Sequence, residues 1–491
     1  MDYSRDINNF IDEYVYALQE GNAAIFAGAG LSIPGGMVDW KGLLRRPAKH
    51  LGLDVDTESD LVSIAQYIYN QTNTKTELAG LVIKHFEDEG RITDSHKIIA
   101  NLPIKTFWTT NYDSLLEQSL KLAGKKPDVK KRVQDLSLIR SKRDAVIYKM
   151  HGDANMAYDT IITKDDYETY ELKNQLFTIA LKGDLVSKKF LFVGFSFEDP
   201  NLTHILSKIK ILLEDNTQTH YCFFRKILRT NFSEDESGQR QYEYEKIKQE
   251  LKCIDLKRYS IRPLLVDSYE DIPMILSKIA EKLNHGNVFI SGSAEVTSEY
   301  SLQKLNPDEF IHLLSKKISE NDFKITSGFG LHVGSAVING VLSHMKDIGT
   351  KNTNEYLNMR PFPQFSTDSR DIQDLWKEYR EQLIEENGIA VFVFGNKKCN
   401  DNPTEAHEII LADGVEKEFE LAVRANKKVV PIGATGYASR KLWQKVIDNF
   451  SDYYPEHPEL KETFLELGGS ETDANAVIEA VIKILKTIKG D

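Results

Sequence analysis

Two series of short apolar runs, separated by amphipathic stretches, restrict the fold of this chain more than any other feature. In the first half, five runs are typical of buried strands: AAIFAGAG, TFWTTNYD, AVIYKMHGD, KFLFVGFSF and IRPLLV. Stretches between them, such as DLVSIAQYIYNQ and DSLLEQSLKLAG, space their apolar residues for one face of a helix. Strands that alternate with helices predict a parallel, doubly wound sheet covered on both faces. Ligands of such sheets bind beyond the carboxyl ends of the strands.

A second series begins after ILSKIAEKLNHG, with the runs NVFISGSA, FKITSGFGLHVGS, GIAVFVFGNK and KKVVPIGATG. A chain of 491 residues is also too long for one hydrophobic core. We therefore predict an α/β protein with two Rossmann-like, doubly wound parallel-sheet domains, 1–283 and 284–491. The charged stretch TNFSEDESGQRQYEYEKIKQE interrupts the first series and predicts a solvent-exposed helix or loop.

The composition restricts the partners and the compartment. A formal net charge of -12 argues against a nucleic-acid-binding surface. The N-terminus has no basic start followed by an apolar stretch, and no apolar run reaches the roughly 18 residues that cross a bilayer. The three cysteines are isolated, so they form neither a CxxC metal pair nor a disulfide framework. These features predict a cytoplasmic protein without a metal, a membrane or a nucleic-acid partner.

The first strand ends in the stretch GAGLSIPGG, which has two interpretations. It is either a tight glycine turn between a strand and a helix, or a loop in which Gly28 and Gly30 let the backbone approach a pyrophosphate. In the second case the N–H groups of the following helix would face the phosphates. The stretch alone does not decide between the two.

Polar side chains follow three further strands. Asn111 and Asp113 follow the second run, His151 follows the third, and Gly194 and Ser196 follow the fourth. Each has a structural explanation, because Asn and Asp commonly cap helices and a single His is more often structural than catalytic. Their occurrence at four strand ends together predicts a ligand site.

In this order the four motifs resemble those of the sirtuin family: GAGxS, T-x-N-x-D, His-Gly and G-x-S, between Ala23 and Asn201. The resemblance implies NAD⁺ as the ligand. It assigns the phosphate and ribose loop to Gly28, Ala29, Gly30 and Ser32. It assigns the nicotinamide-ribose loop to Asn111 and Asp113, and the general base to His151. It assigns a loop beside the adenosine ribose to Gly194 and Ser196.

One departure from the sirtuins changes the expected reaction. Sirtuin deacylases carry a zinc module with two CxxC pairs, and this sequence has none. The sequence therefore favours NAD⁺ as a substrate that water cleaves, with Asn111 and His151 as the catalytic residues. Asn111 would orient the ribose hydroxyls and the water, and His151 would accept a proton. Asp113 is expected to fix its loop.

The second half offers a second candidate pocket at its strand ends. Backbone amides and cations there suit a phosphorylated ligand, although glycine turns and solvated surface charges are the alternatives. The residues are Ser291, Gly292, Ser293, Gly328, Gly330, Arg380, Lys397 and Glu418. This half resembles the SLOG group of nucleotide-sensing domains. Related phosphoribohydrolases carry PGGxGTxxE, whereas this chain reads DGVEKEFE, so ligand sensing is favoured over hydrolysis.

The whole chain resembles the NAD-depleting effectors of the Thoeris anti-phage defence system. The resemblance implies a TIR-domain partner that makes a cyclic ADP-ribose isomer, which binds the SLOG domain and activates NAD⁺ hydrolysis. It places Arg380 and Lys397 on the phosphates and Glu418 on a ribose or base. It also implies a homo-oligomer, typically a tetramer through the sirtuin-like domains. A protein deacylase and a non-enzymatic nucleotide sensor are the alternatives.

Overall fold

A computed structural model describes residues 3–58, 60–87, 90–197, 199–213, 218–295, 307–330, 332–363, 365, 371–398, 409–469 and 473–490. The chain forms two compact units, Met1–Ala280 and Glu281–Asp491, and each is described by itself.

The first unit is built on a seven-stranded sheet in which every neighbouring pair is parallel. Its strand order is β3-β4-β2-β1-β5-β6-β7. The strands are β1 Ala23–Ala27, β2 Thr106–Thr109, β3 Pro127–Lys130, β4 Ala145–Lys149, β5 Lys189–Val193, β6 His220–Arg225 and β7 Ile261–Val266. All residues of β1 and β2 are buried, as expected for central strands covered on both faces.

Helices connect these strands and cover the sheet. They are α1 Arg5–Gln19, α2 Ala29–Ser32, α3 Trp40–His50, α4 Leu61–Thr72, α5 Thr76–Phe86, α6 Asp94–Asn101, α7 Leu115–Leu122, α8 Lys164–Lys173, α9 Gln175–Ser187, α10 Pro200–Leu213, α11 Glu236–Lys257 and α12 Asp271–Asn284. Short 3₁₀ turns lie at Ile33–Gly35, Val133–Ser137, Ala154–Asp159 and Arg229–Asn231.

Capping side chains explain where several of these helices begin. Asp39 accepts a hydrogen bond from the backbone N–H of Gly42 at the start of α3, at 2.7 Å. At the start of α8, Thr163 and Asp166 form a reciprocal capping box. Such caps satisfy backbone donors that the first turn of a helix leaves free.

Helices α3, α4 and α5 form a separate apolar layer, the helical cap, between β1 and β2 in the sequence. Their core includes Leu44, Ile64 and Val82 and also contains Tyr112 and Leu115, from the segment that follows β2. The helical cap therefore packs directly against the segment that carries Asn111.

The second unit has a five-stranded parallel sheet with the order β10-β9-β8-β11-β14 and a two-stranded antiparallel ribbon, β12-β13. The strands are β8 Asn287–Ser293, β9 Lys324–Ser327, β10 Leu357–Met359, β11 Ile389–Phe394, β12 Asn396–Lys398, β13 Ile409–Leu411 and β14 Lys428–Pro431. Two parallel sheets flanked by helices confirm the predicted α/β class with two Rossmann-like folds.

The helices of the second unit enclose one continuous core around β8 and β11. They are α13 Pro307–Glu320, α14 Val333–Asp347, α15 Thr353–Tyr356, α16 Ile372–Glu385, α17 Asp413–Arg424, α18 Tyr437–Asp448, α19 Phe450–Tyr453, α20 Leu460–Glu466 and α21 Ala474–Lys489. A 3₁₀ turn lies at Gly433–Thr435.

Candidate functional sites at the strand ends

Four predicted loops meet at one edge of the first sheet. β4, β2, β1 and β5 are consecutive neighbours, and all of them run in the same direction. Their carboxyl ends lead to His151, Asn111, Gly28 and Gly194 respectively. The fold thus brings the four motifs to the edge where doubly wound sheets bind ligands.

Asn111 ties two of these loops together. Its Nδ2 donates hydrogen bonds to the carbonyl oxygen of Gly28 at 3.0 Å and to Oγ of Ser32 at 3.2 Å. Its backbone N–H is held by Oγ1 of Thr109 at 2.9 Å, and that hydroxyl donates to the carbonyl oxygen of Ala27. The side chain is half-buried. Because Nδ2 is engaged by the protein, Oδ1 is the atom that a ligand hydroxyl can contact.

The glycines of the first loop are needed for packing against the Gly194 loop. A Cβ at Gly28 would lie 2.3 Å from the carbonyl oxygen of Gly194, and one at Gly30 would lie 2.8 Å from its Cα. The N–H groups of Gly28 and Gly30 bond to Val193 and Gly194, each at 2.9 Å. The tight-turn interpretation therefore explains these glycines in part, whichever ligand the loop holds.

The helix expected after this loop is short. α2 has four residues, from Ala29 to Ser32, and is followed directly by the 3₁₀ turn that begins at Ile33. Its dipole is correspondingly small, since a macrodipole sums aligned peptide units. Ser32 is buried, whereas Ser196 is exposed. A ligand at this loop would therefore meet closely approaching backbone rather than the N-terminus of a long helix.

His151 lies beside a carboxylate that the sequence analysis did not identify. Its Nε2 is 3.1 Å from Oδ2 of Asp199, and the side chains of the two residues are only 2% and 8% exposed. The N–H direction does not meet hydrogen-bond geometry, so the contact is a close electrostatic pair. The ring also packs edge-on against Tyr167, with the centroids 5.4 Å apart.

The environment keeps Asp199 ionised. Burial would raise the pKa of its carboxyl, but His151 and the backbone N–H of Leu202 lower it below its ordinary value. An Asp before a Pro at a helix start predicts a cap, and Asp199 does bond to Leu202 at 2.9 Å. Its contact with His151 depends on the tertiary fold and leaves no signal in the sequence.

A buried lysine joins the Asn111 loop to the His151 loop. Nζ of Lys149 is 2.7 Å from Oδ2 of Asp153 and 3.2 Å from Oε1 of Glu117, and it donates to the carbonyl oxygens of Tyr112 and Asp113. Burial would lower the pKa of Lys149, but Glu117 and Asp153 raise it above its ordinary value. The lysine is therefore charged and fully enclosed.

Asp113 has a structural environment. It is buried, and its Oδ1 accepts a hydrogen bond from the backbone N–H of Leu115 at 3.0 Å, at the start of α7. Asp113 thereby caps the start of α7, and its assignment to the nicotinamide-ribose loop stays a prediction. Lys149 and Asp199 are the neighbours of the site that the sequence analysis missed.

In the second unit, three of the predicted pocket residues form one buried cluster. Oγ of Ser291 donates to Oε2 of Glu418 at 2.6 Å, and Nε of Arg380 lies 3.3 Å from Oε1 of Glu418. Burial raises the pKa of Glu418, and the hydrogen bond from Ser291 and the charge of Arg380 oppose it. The guanidinium carbon of Arg380 also lies over the ring of Phe362, 5.0 Å from its centroid.

The glycines beside this cluster permit close backbone contacts. A Cβ at Gly330 would lie 2.0 Å from the carbonyl oxygen of Gly292, and one at Gly292 would lie 2.4 Å from that of Val393. A Cβ at Gly328 would lie 2.8 Å from the ring of Phe362. Gly330 thus brings the loop after β9 against β8, Gly292 brings β8 against β11, and Gly328 makes room for Phe362.

Lys397 and Ser293 have other partners. Lys397 forms an ion pair with Asp413, which also lies 3.1 Å from Nζ of Lys417. Hydrogen bonds from the two lysines lower the pKa of Asp413 to about 2. Oγ of Ser293 donates to the carbonyl oxygen of Asn396 at 2.8 Å. Asp413 and Glu418 both lie on α17, so one helix pairs with both predicted phosphate-binding cations.

Within the described ranges, no group of three or more His, Cys, Asp or Glu side chains is arranged to hold a metal ion. Cys399 lies outside those ranges. Among the helices in the described part of the chain, none has the length and apolar character needed to cross a membrane.

The fold and the strand-end sites define a two-domain protein of the SIR2–SLOG class. Residues 105–249 match the family described as SIR2-like domain. Residues 271–488 match the Sir2- and TIR-associating SLOG family. Both resemblances drawn from the motifs are thereby confirmed.

Full-length relatives narrow this class to one family. Over 481 residues the chain is 47% identical to the NAD(+) hydrolase ThsA of Cytobacillus dafuensis, covering 98% of this chain and 96% of the relative. It is 40% identical to the NAD(+) hydrolase ThsA of Bacillus cereus (strain MSX-D12), with 98% of each chain covered. Defense-associated sirtuin 2 of Bacillus subtilis is 26% identical over 53% of this chain and 27% of its own. The chain belongs to the ThsA family of NAD(+) hydrolases, which confirms the resemblance to NAD-depleting Thoeris effectors.

Proposed function

We propose that this chain is a signal-gated NAD⁺ glycohydrolase of anti-phage defence. Domain 1–283 would cleave NAD⁺ to nicotinamide and ADP-ribose, and domain 284–491 would bind a cyclic ADP-ribose isomer made by a TIR-domain partner. The observation that carries the proposal is the hydrogen bonding of Asn111 to Gly28 and Ser32, at a strand end next to that of His151. Relatives named NAD(+) hydrolase, at 40 to 47% identity over nearly the whole chain, support it.

The proposed reaction replaces the bond between nicotinamide and C1′ of the ribose by a bond to water. The electron pair of the broken bond leaves with nicotinamide and neutralises its pyridinium. The transition state resembles a ribosyl cation, so the protein must hold the sugar and admit one water. Oδ1 of Asn111 would accept a hydrogen bond from a ribose hydroxyl or from the water. His151 would take up the proton that the water or a ribose hydroxyl releases.

The surroundings of the site hold its loops in place. The helical cap packs its core against Tyr112 and Leu115, beside Asn111. The charged Lys149 fixes the loops of Asn111 and His151 to each other. A rigid site of this kind keeps catalytic groups within reach of a bound sugar and reduces the freedom lost during reaction.

The proposed signal pocket is the cluster around Glu418. Arg380 and Lys397 are both paired with carboxylates of α17, and the phosphates of the signal would replace those partners. Gating requires that the signal bind the active state more tightly than the resting state. A switch from about 1% to about 99% active requires about 10⁴-fold tighter binding to the active state.

The protein is proposed to act as a homo-oligomer, a tetramer through its first domain, in the cytoplasm. A row of exposed apolar side chains along α11 supports self-association: Tyr244, Ile247, Leu251 and Ile254 are 56 to 65% exposed. The rest of this charged helix is largely exposed to solvent, as predicted. Of its 22 residues, two are buried, Gly238 and Leu256.

The test is nicotinamide release from NAD⁺ by the full-length chain, with and without a panel of cyclic and linear ADP-ribose compounds. Activation by one cyclic isomer is expected. His204→Ala is a matched control for His151→Ala, because His204 lies on the surface beside Glu171. NAD⁺-dependent release of the acetyl group from an acetylated peptide, with nicotinamide released only when that peptide is present, would indicate a deacylase.

A further inference from the structure

In the buried pair of His151 and Asp199, the two carboxylate oxygens of Asp199 have different partners. Oδ1 of Asp199 accepts the hydrogen bond from the backbone N–H of Leu202, at 2.9 Å, and so caps the start of α10. The N–H and Oγ1 of Thr203 bond to the carbonyl oxygen of Asp199, at 3.1 and 3.0 Å. Oδ2 is thereby held at a fixed position, 3.1 Å from Nε2 of His151.

A fixed carboxylate at this position controls the proton on the imidazole. The negative charge, 3.1 Å from Nε2, favours the tautomer that carries its proton on Nε2, because a proton there is closer to the carboxylate than a lone pair would be. The lone pair of the neutral ring is consequently on Nδ1. The same carboxylate stabilises the imidazolium that forms when Nδ1 takes up a second proton, as the aspartate does in Ser-His-Asp hydrolases.

Among the described residues, the two aromatic neighbours of the ring do not supply this charge. Tyr167 and Tyr170 of α8 present their rings edge-on to His151, with centroids 5.4 and 6.4 Å away. Burial and the charge of Asp199 raise the pKa of both phenols, so the two tyrosines are neutral. Asp199 is the carboxylate in contact with the imidazole.

We propose that Asp199 is a positioning residue of the NAD⁺-cleaving site, which fixes the tautomer and orientation of His151 and stabilises its protonated form. This rests on the proposed role of His151 as the proton acceptor. In the step concerned, the oxygen of water bonds to C1′ of the ribose and one proton of that water moves to Nδ1. Nicotinamide leaves with the electron pair of its bond to C1′.

Asp199→Asn separates this role from helix capping. An asparagine keeps an oxygen that accepts from Leu202 and removes the charge beside His151. General-base catalysis contributes about 10²- to 10⁴-fold, so kcat for nicotinamide release is expected to fall about 10- to 100-fold. KM for NAD⁺ is expected to change less than about threefold, because Asp199 acts through His151. Asp199→Glu should recover part of kcat.

The assay uses the full-length chain, NAD⁺ as the substrate and the ADP-ribose compound of the panel that activates it. Asp184→Asn is the matched control. Asp184 is also a largely buried carboxylate of the first unit, but its partners are Nε1 of Trp108 at 2.8 Å and Lys188 at 2.7 Å. This control should keep wild-type kcat.

A kcat of Asp199→Asn within twofold of wild type would overturn the inference, provided that His151→Ala is inactive. If His151→Ala also keeps its activity, the proposed site itself is wrong, so the two failures are distinguishable. Should Asp199→Asn not fold, ¹⁵N spectra of the histidines in the wild-type chain provide the test. The signal lost in His151→Ala should have the pattern of an imidazole protonated on Nε2, and a ring protonated only on Nδ1 would contradict the inference.

Discussion

Gly30 donates its backbone N–H to the carbonyl oxygen of Gly194 at 2.9 Å, so the first loop of the candidate site is built directly on the fourth. Gly194 has φ +66°, and a Cβ there would lie 2.1 Å from the backbone nitrogen of Leu31. The two loops therefore form one unit whose shape depends on the absence of side chains.

Gly194→Ala is expected to destabilise the protein by about 3–4 kcal/mol and to abolish NAD⁺ cleavage, because it combines a left-handed φ with a backbone overlap. Gly124→Ala separates the two costs. Gly124 has φ +74° and nothing within 4 Å of an added Cβ. Gly124→Ala is therefore expected to lower the unfolding free energy by about 1 kcal/mol. Urea unfolding of both variants is the measurement. Equal losses would show that the close approach of the two loops is not required.

Lys149→Met is expected to cost about 3–5 kcal/mol of unfolding free energy, because it leaves Glu117 and Asp153 buried without their cation. Lys208→Met is the control, since Lys208 pairs with Glu171 at the surface and should lose at most about 1 kcal/mol. Denaturant titrations of the two variants measure the difference. A loss at Lys149 no larger than that at Lys208 would remove the buried network from the account.

The same network predicts a pH dependence. Burial would raise the pKa of Asp153, but Lys149 and Lys131 lower it below the ordinary value of 3.8. A carboxyl with a lowered folded-state pKa stabilises the fold above its unfolded-state pKa, and this contribution disappears as the pH falls through the folded-state value. Unfolding free energy should therefore fall steeply below about pH 4, and the slope should be shallower in Lys149→Met. Identical slopes in the two proteins would contradict this assignment.

Arg380→Ala is expected to abolish activation by the cyclic nucleotide, because the guanidinium is the cation in contact with Glu418 in the proposed pocket. Arg424→Ala is the matched control on the exposed side of α17, where Arg424 lies 3.8 Å from Glu420. Calorimetry of signal binding and nicotinamide release report the two effects. Activation of the Arg380 variant at the normal signal concentration would remove Arg380 from the pocket.

The sequence predicts the parts of this protein that depend on local pattern. The nine apolar runs singled out as strands all form strands, and seven of them lie inside a parallel sheet, where strands are apolar on both faces. The sequence patterns did not indicate β6, or the three- and four-residue strands β3, β10, β12 and β13. The four-residue strands β2, β9 and β14 were predicted because each lies in a longer apolar run that ends in a polar or glycine-rich loop.

The candidate site likewise contains residues that the sequence indicates and residues that only the three-dimensional fold brings to it. Asn111 and His151 could be predicted as site residues because strand ends and glycine loops mark ligand edges in α/β sheets. Lys149 lies inside a predicted strand, and the sequence does not indicate the role of a charged residue there because its partners come from other segments. Asp199 resembles an ordinary helix cap, and its approach to His151 is a tertiary contact. Such pairs become visible only when the loops are placed in space.

The proposed NAD⁺ site is tested by nicotinamide release from NAD⁺ by wild type, Asn111→Ala and His151→Ala, each with the cyclic ADP-ribose panel. We expect release by wild type in the presence of one cyclic isomer, at least about 100-fold faster than by either variant. His204→Ala should behave as wild type. Undiminished nicotinamide release by both Asn111→Ala and His151→Ala would contradict the account.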